Sequence, residues 1–211
     1  MRHFSKKILA GLMAVICVMV ITATCFADET YFIPSGLGSM HTYTNWNRQG
    51  WSYRQGELKN DLNNKSLISD SYGIVTYGDT FAGATTTTFG NIGDVLLVVN
   101  EGGIIYPVTI ADIKSQVYCS YDHNPANMWG HYNGKDIVEF EILSYCAGSL
   151  YNGSGSYVSP ELNRNIYKII NIGSYFDNNS LVTREVIKEK IREHGMGGYT
   201  LLTSPYGGET V

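Results

Sequence analysis

Gly90-Asn-Ile-Gly-Asp-Val-Leu-Leu-Val-Val-Asn-Glu-Gly-Gly-Ile-Ile-Tyr-Pro-Val-Thr-Ile-Ala-Asp-Ile113 is the stretch that decides the fold class. Gly90 to Asp94 reads as a turn, and Val95 to Val99 as a short continuous apolar strand of the sort buried on both faces. Asn100-Glu-Gly-Gly103 makes a hairpin turn. The chain returns through Ile104 to Ile113, where Pro107 points to an edge or a bulge, because proline cannot donate to a ladder.

Strand signals continue on both sides. Upstream, Gly73-Ile-Val-Thr-Tyr77 reads as a strand, and Ala84-Thr-Thr-Thr-Thr-Phe89 is a β-branched run bounded by Gly83 and Gly90. Residues 28–71 are polar, aromatic and irregular, with a short helix expected near Gly56–Leu62. Downstream, residues 115–135 form a long loop rich in Asn, Tyr, His and Gly. In the next strand, Asp136 to Leu143, alternation puts Ile137, Glu139 and Glu141 on one side and Val138, Phe140 and Ile142 on the other. Gly148–Ser156 is a Gly/Ser/Asn-rich break and the expected boundary. Beyond it, Ile166–Ile172 is a strand or a short helix. Thr183–His194 is a helix with Thr183 as N-cap, Glu185 in the first turn and Gly195 as C-cap. Many short strands, long loops and one clear helix predict a mainly β protein: a small barrel over residues 72–147, with residues 148–211 as an extension packed on it.

The ends and the composition set the class. Arg2, Lys6 and Lys7 precede an apolar run from Ile8 to about Ile21, and small residues lead to Ala27 and the acidic Asp28-Glu29. This is the pattern of a secretory signal, residues 1–27, cleaved after Ala27. The alternative is an uncleaved anchor, since Ile8 to Phe26 is just long enough to span a bilayer. The mature chain then has 12 basic and 19 acidic residues, a net charge of −7. That balance gives no electrostatic footprint for nucleic acid, and leaves the signal segment as the sole membrane element. A charged fraction of 16% with 44% apolar residues argues against intrinsic disorder.

Cys119 and Cys146 are the cysteines left after the signal. A pair in an exported chain reads as one disulfide, closing a loop of about 27 residues worth roughly 3 kcal/mol in the chain-entropy model. The sharper alternative is a Cys119 nucleophile with His123 or His131 as base.

Thr85-Thr-Thr-Thr-Phe-Gly-Asn-Ile-Gly-Asp94, Ile110-Ala-Asp-Ile-Lys-Ser-Gln116 and Trp129-Gly-His-Tyr-Asn-Gly-Lys-Asp-Ile-Val-Glu-Phe140 carry a resemblance in their order and spacing. They resemble the secreted double-psi β-barrel domains of Gram-positive bacteria and their phages: the three-aspartate domain, MltA-type lytic transglycosylases and RlpA-like domains. Gly93–Val99, Ala111-Asp112 and Gly134–Phe140 occupy the places of the family's Gly turn and buried strand, its Ala-x-Asp segment and its closing strand. The resemblance covers about residues 72–143. It implies a double-psi-like barrel and action on bacterial cell-wall glycan. The departures are specific. Thr stands at the family's first aspartate, near Thr85–Thr88. Asp112-Ile-Lys-Ser replaces its Asp-Thr-Gly-Gly, and its last aspartate falls near Val138, with Glu139 one residue away.

Asp112 is thus the expected acid/base. A carboxyl at the end of the buried run Val108–Ala111 suits the protonated acid that a glycosidic oxygen needs. A lytic transglycosylase uses one carboxyl as acid and then base, with the sugar's own hydroxyl attacking, and needs no metal or cofactor. Glu139 and His131 are the expected supporting residues, and Trp129, Tyr132 and Trp46 the expected sugar-stacking residues. For each a plainer reading exists: a turn-capping aspartate, a solvent-facing glutamate, an exposed loop histidine, and aromatic core or rim packing. His131-x-x-Gly134-x-Asp136, with His123 and Asp122, also admits a zinc peptidase. The expected function is cleavage of peptidoglycan glycan strands by an exported wall protein, with a non-catalytic wall-glycan-binding or structural module as the alternative.

Overall fold

The computed structural model describes residues 28–35, 42–45, 56–58, 74–114, 129–130, 137–142, 164–204 and 207–211. They form one ten-stranded sheet. The strands are β1 (Glu29–Phe32), β2 (Thr42–Asn45), β3 (Thr76–Tyr77), β4 (Thr80–Thr85), β5 (Asp94–Asn100), β6 (Ile104–Ile113), β7 (Glu139–Ile142), β8 (Ile166–Ser174), β9 (Thr200–Ser204) and β10 (Gly207–Thr210). One α-helix longer than a single turn, α1 (Arg184–Glu193), follows a 3-10 turn at Asn179–Val182. The protein is mainly β. The ladder runs β1-β8-β5-β6-β4-β7-β2, with β3 on β4 and β9 on both β6 and β10. Among the described residues no pairing joins β1 to β2, so the ladder they form is not closed.

The β5–β6 hairpin forms as its sequence predicts, from Val95 opposite Thr109 to Val99 opposite Ile105. Asn100 is buried in the turn, and its Oδ1 accepts the Gly102 and Ile104 N–H groups at 2.9 and 3.2 Å. β5 is covered on both faces. Val95, Leu97 and Val99 join one apolar cluster with Ala82, Ile170, Ile187 and Ile191, while Leu96 and Val98 join a second with Phe81, Val108, Ile110 and Phe140. The five apolar side chains of β5, Val95 to Val99, all have 0% exposure, each worth roughly 1.5–3 kcal/mol in burial.

Pro107 sits neither on an edge strand nor at a bulge. It lies opposite Leu97 of β5, and on its other side falls between two parallel neighbours of β6. β9 takes Ile104 and Ile105, and β4 takes Val108 onward. The missing N–H therefore falls where neither partner asks for it.

Four other elements differ from expectation. β4 occupies Thr80–Thr85, so the threonine run enters it only at its end, and Thr87 and Thr88 lie in a turn. Gly83, read as a boundary, is interior to that strand. A Cβ there would stand 2.8 Å from Val108 Cγ1 and 3.2 Å from the Glu139 carbonyl, so close strand approach requires glycine. β7 is shorter than predicted, and Ile137, ahead of it, joins Val138 and Phe140 in the second cluster instead of lying with Glu139. Residues 28–71 are less irregular than their composition implies, since β1, β2 and a helical turn at 56–58 lie there.

The segment after the 148–156 break, which itself lies outside the described residues, is woven into the sheet and is no appendage. β8 lies between β1 and β5, antiparallel to both. α1 docks through Ile187 and Ile191, one turn apart and fully buried in the first cluster. Thr183 stands at its N-cap position, but its hydroxyl donates to the Ser180 carbonyl at 2.7 Å instead of accepting from the helix. Arg184 Nη2 reaches Asp79 Oδ1 at 2.9 Å, and Lys188 Nζ reaches Glu209 Oε2 at 2.7 Å. At the other end, Lys190 and His194 both hold Asp28 Oδ2, at 3.1 and 2.9 Å.

Candidate functional site

A bulge positions Asp112. Along β6 the residues Tyr106, Val108 and Ile110 belong to the second apolar cluster, and simple alternation would send Asp112 the same way. The β4–β6 register shifts instead: Gly83 pairs with Ile110 and Ala84 with Asp112, which leaves Ala111 as the extra residue. Asp112 thereby turns to the face of Ala84. Glu139 pairs with the same Ala84 from β7. Asp112, Ala84 and Glu139 thus form one row across β6-β4-β7, the two acids separated by two strand spacings, about 10 Å between Cα atoms. Only a methyl group stands between them in that row.

The two acids differ in setting. Asp112 is half-buried, and its Oδ1 accepts the Ile113 N–H at 2.9 Å, which orients the carboxylate. Glu139 is buried, and its Oε1 lies 2.5 Å from Lys114 Nζ, with side-chain exposures of 10% and 1%. The Lys114 N–H donates to the Thr85 carbonyl at 2.8 Å, extending the parallel ladder one residue past β6 and fixing the backbone that delivers the ammonium. Glu141, two residues along β7 on the same face, has 0% exposure. Glu139 is therefore a buried counter-ion and not a solvent-facing carboxylate. Lys114 carries no weight in a reading of the sequence alone, although a lysine two residues beyond Asp112, at the end of a buried apolar run, was the available signal.

Trp129 is half-buried and packs against the second cluster, its ring 5.9 Å from that of Phe89. By register the Asp112–Ala84–Glu139 row lies on the opposite face, so the structure does not bring Trp129 to Asp112. Val138, at the place of the family's last aspartate, is fully buried in the same second cluster. His131, Tyr132, Trp46, Cys119 and Cys146 lie outside the described residues, as do His123, Asp122 and Asp136 of the zinc reading. Among the described residues no group of three or more His, Cys, Asp or Glu side chains is placed to hold a metal ion. No helix among them is long and apolar enough to cross a membrane.

The row thus sets a half-buried carboxylate, Asp112, two strands away from a buried one, Glu139, whose charge the Lys114 ammonium meets. The fold and site define a mainly β protein with a polar row across three strands. Comparison with family models, with curated proteins and with solved structures finds no match to this chain.

Proposed function

We propose that this chain is an exported cell-wall protein that cleaves the glycan strands of peptidoglycan, in the manner of a lytic transglycosylase, with Asp112 as acid and then base. The observation that carries the reading is the bulge that turns Asp112 out of the apolar cluster and into a row with Glu139. The Lys114–Glu139 pair supports a mechanism with a single working carboxyl, because the second acid is held by its own counter-ion. In that mechanism the Asp112 carboxyl gives its proton to the glycosidic oxygen as the bond from the anomeric carbon breaks. The resulting carboxylate takes a proton from the sugar's own hydroxyl as that oxygen attacks the same carbon. The strand is cut, an intramolecular anhydro bond forms, and Asp112 ends protonated as it began.

Mass spectrometry of purified peptidoglycan incubated with the mature protein tests this. Wild type should release anhydro-muropeptides. Asp112→Asn keeps the shape of the carboxyl but cannot donate and recover the proton, so it should lose about 10²–10⁴-fold in rate while staying folded. Folded Asp112→Asn that cuts at the wild-type rate refutes the assignment.

A second reading, a wall-glycan-binding module without catalysis, is favoured by a different observation: Glu139 and Trp129 are both engaged in holding the fold. Sedimentation on cell walls with no cleavage by either protein would establish it.

A further inference from the structure

We propose that Tyr31, Trp129 and Asp94 form a carbohydrate subsite, separate from the Asp112 row, that takes one pyranose ring of the wall glycan. The class of ligand rests on the glycan reading above; the place rests on geometry of its own. The fully buried ring of Phe89 is the hub. Tyr31 meets it edge-on at 5.4 Å and 90°, and Trp129 tilted at 5.9 Å and 43°. Both outer rings are half-buried, so each keeps part of its surface in solvent while its orientation is fixed from beneath.

The backbone of Phe89 anchors the polar half. Its carbonyl accepts from Asn171 Nδ2 at 2.9 Å, and the same amide donates to Asp94 Oδ2 at 3.1 Å. Asp94 Oδ2 also accepts the Asn91 N–H at 2.9 Å. Gly90 makes room for this contact, since a Cβ there would lie 2.5 Å from Asp94 Oδ2 and 2.7 Å from Asn171 Nδ2. Asp94 is thus held through one oxygen. Among the described residues its Oδ1 and the Trp129 Nε1 have no hydrogen-bond partner. The Tyr31 hydroxyl donates to Glu29. Its pKa is pushed up to about 12 by burial first, then by the Glu29 hydrogen bond and the charges of Glu29 and Asp94, so the Asp94 carboxylate lies within electrostatic reach of that ring. A pyranose ring presents an apolar C–H face, which packs on aromatic rings, and hydroxyls, which donate to a carboxylate in a charge-assisted bond. The cluster offers both, with a rigid hub behind them.

The test uses the mature protein, purified peptidoglycan for sedimentation and the soluble N-acetylglucosamine tetramer for titration by intrinsic fluorescence. Asp94→Asn and Trp129→Ala should each weaken binding roughly tenfold, the size expected from losing one stacking or charge-assisted contact. Circular dichroism confirms the fold of each variant. If Trp129→Ala does not fold, Trp129→Phe keeps the packing on Phe89 and should still weaken the tetramer several-fold. Folded variants that bind as wild type overturn the subsite and leave the Asp112 reading standing. A wild-type protein that neither sediments with the wall nor responds to the tetramer overturns the glycan reading and the subsite with it.

Discussion

Replacing Glu139 by Gln would leave the Lys114 ammonium facing a neutral amide at a position where its side chain is 1% exposed. Removing one partner of a buried ion pair costs about 3–5 kcal/mol, because the remaining charge stays desolvated. The loss has a ceiling, since an ordinary lysine amine can shed its proton. From a reference pKa of about 10.4 and about 1.36 kcal/mol per unit, that escape costs about 4.6 kcal/mol at pH 7. For a domain of 150–250 residues each kcal/mol moves Tm by about 2–4 °C, so Glu139→Gln, losing about 3–4.6 kcal/mol, should melt about 6–18 °C below wild type. Lys114→Met should also lower the melting point, because Glu139 loses the ammonium that stands 2.5 Å from its Oε1. The double variant Lys114→Met/Glu139→Leu removes both charges, and should recover most of the loss, as apolar replacement of a buried pair often does. The assay is thermal unfolding by circular dichroism on all four proteins, followed by the glycan-cleavage assay on those that remain folded. A Glu139→Gln melting point within about 2 °C of wild type would refute the buried-pair reasoning. Cleavage lost in a fully stable Glu139→Gln would move Glu139 from counter-ion to catalyst.

Three further outcomes are expected. Truncation after residue 157 removes β8, the partner of both β1 and β5, so the fragment should show no cooperative melting; a folded fragment would restore the appendage view. Tyr31 and Tyr167 each have a pKa pushed up to about 12, by burial first and then by hydrogen bonds to Glu29 and Tyr199. Their folded values lie above the unfolded reference of about 10. Their contribution to stability is therefore complete below pH 10 and falls as pH rises toward 12. Absorbance at alkaline pH should show a late tyrosinate step that moves down to about pH 10 in denaturant. Free-thiol titration of the unfolded, unreduced protein from Asp28 onward should find close to zero thiols if Cys119 and Cys146 pair, and two if they do not.

The local sequence made the hairpin and the helix legible because their signals are self-contained. The observed β6 has the predicted bounds, and α1 differs from its prediction by one residue at each end. Where partners distant in sequence decide, local signals mislead. The threonine run has high strand propensity, yet the strand is set by pairing with Val108–Ile113, and propensity yields to that context. Glycine at position 83 looks like punctuation until Val108 and Glu139 are placed against it. Asp112 could be singled out from its position after a buried run, but its face could not, because one bulge residue reverses the alternation. Glu139 was visible as an acid in a strand, while its pairing depended on Lys114, one residue past a strand two positions across the sheet. The Asp94–Asn171 contact joins residues 77 apart, and no local pattern announces it.

The insertion of β8 between β1 and β5 has a consequence for how the molecule comes into being. Once β5 and β6 have been synthesised they can pair at once, but the other edge of β5 waits for a strand that begins 66 residues beyond Asn100. At about 5–20 residues per second, that interval lasts roughly 3–13 s on the ribosome. Throughout it Val95–Val99, five apolar residues with unpaired backbone groups along one side, stands as an open edge able to template another chain. β1, whose partner is the same late strand, waits longer still. A chain built this way gains from being held extended by a chaperone or a translocation channel until its last third arrives, and conditions that slow elongation should raise its tendency to aggregate before they change anything about the finished fold.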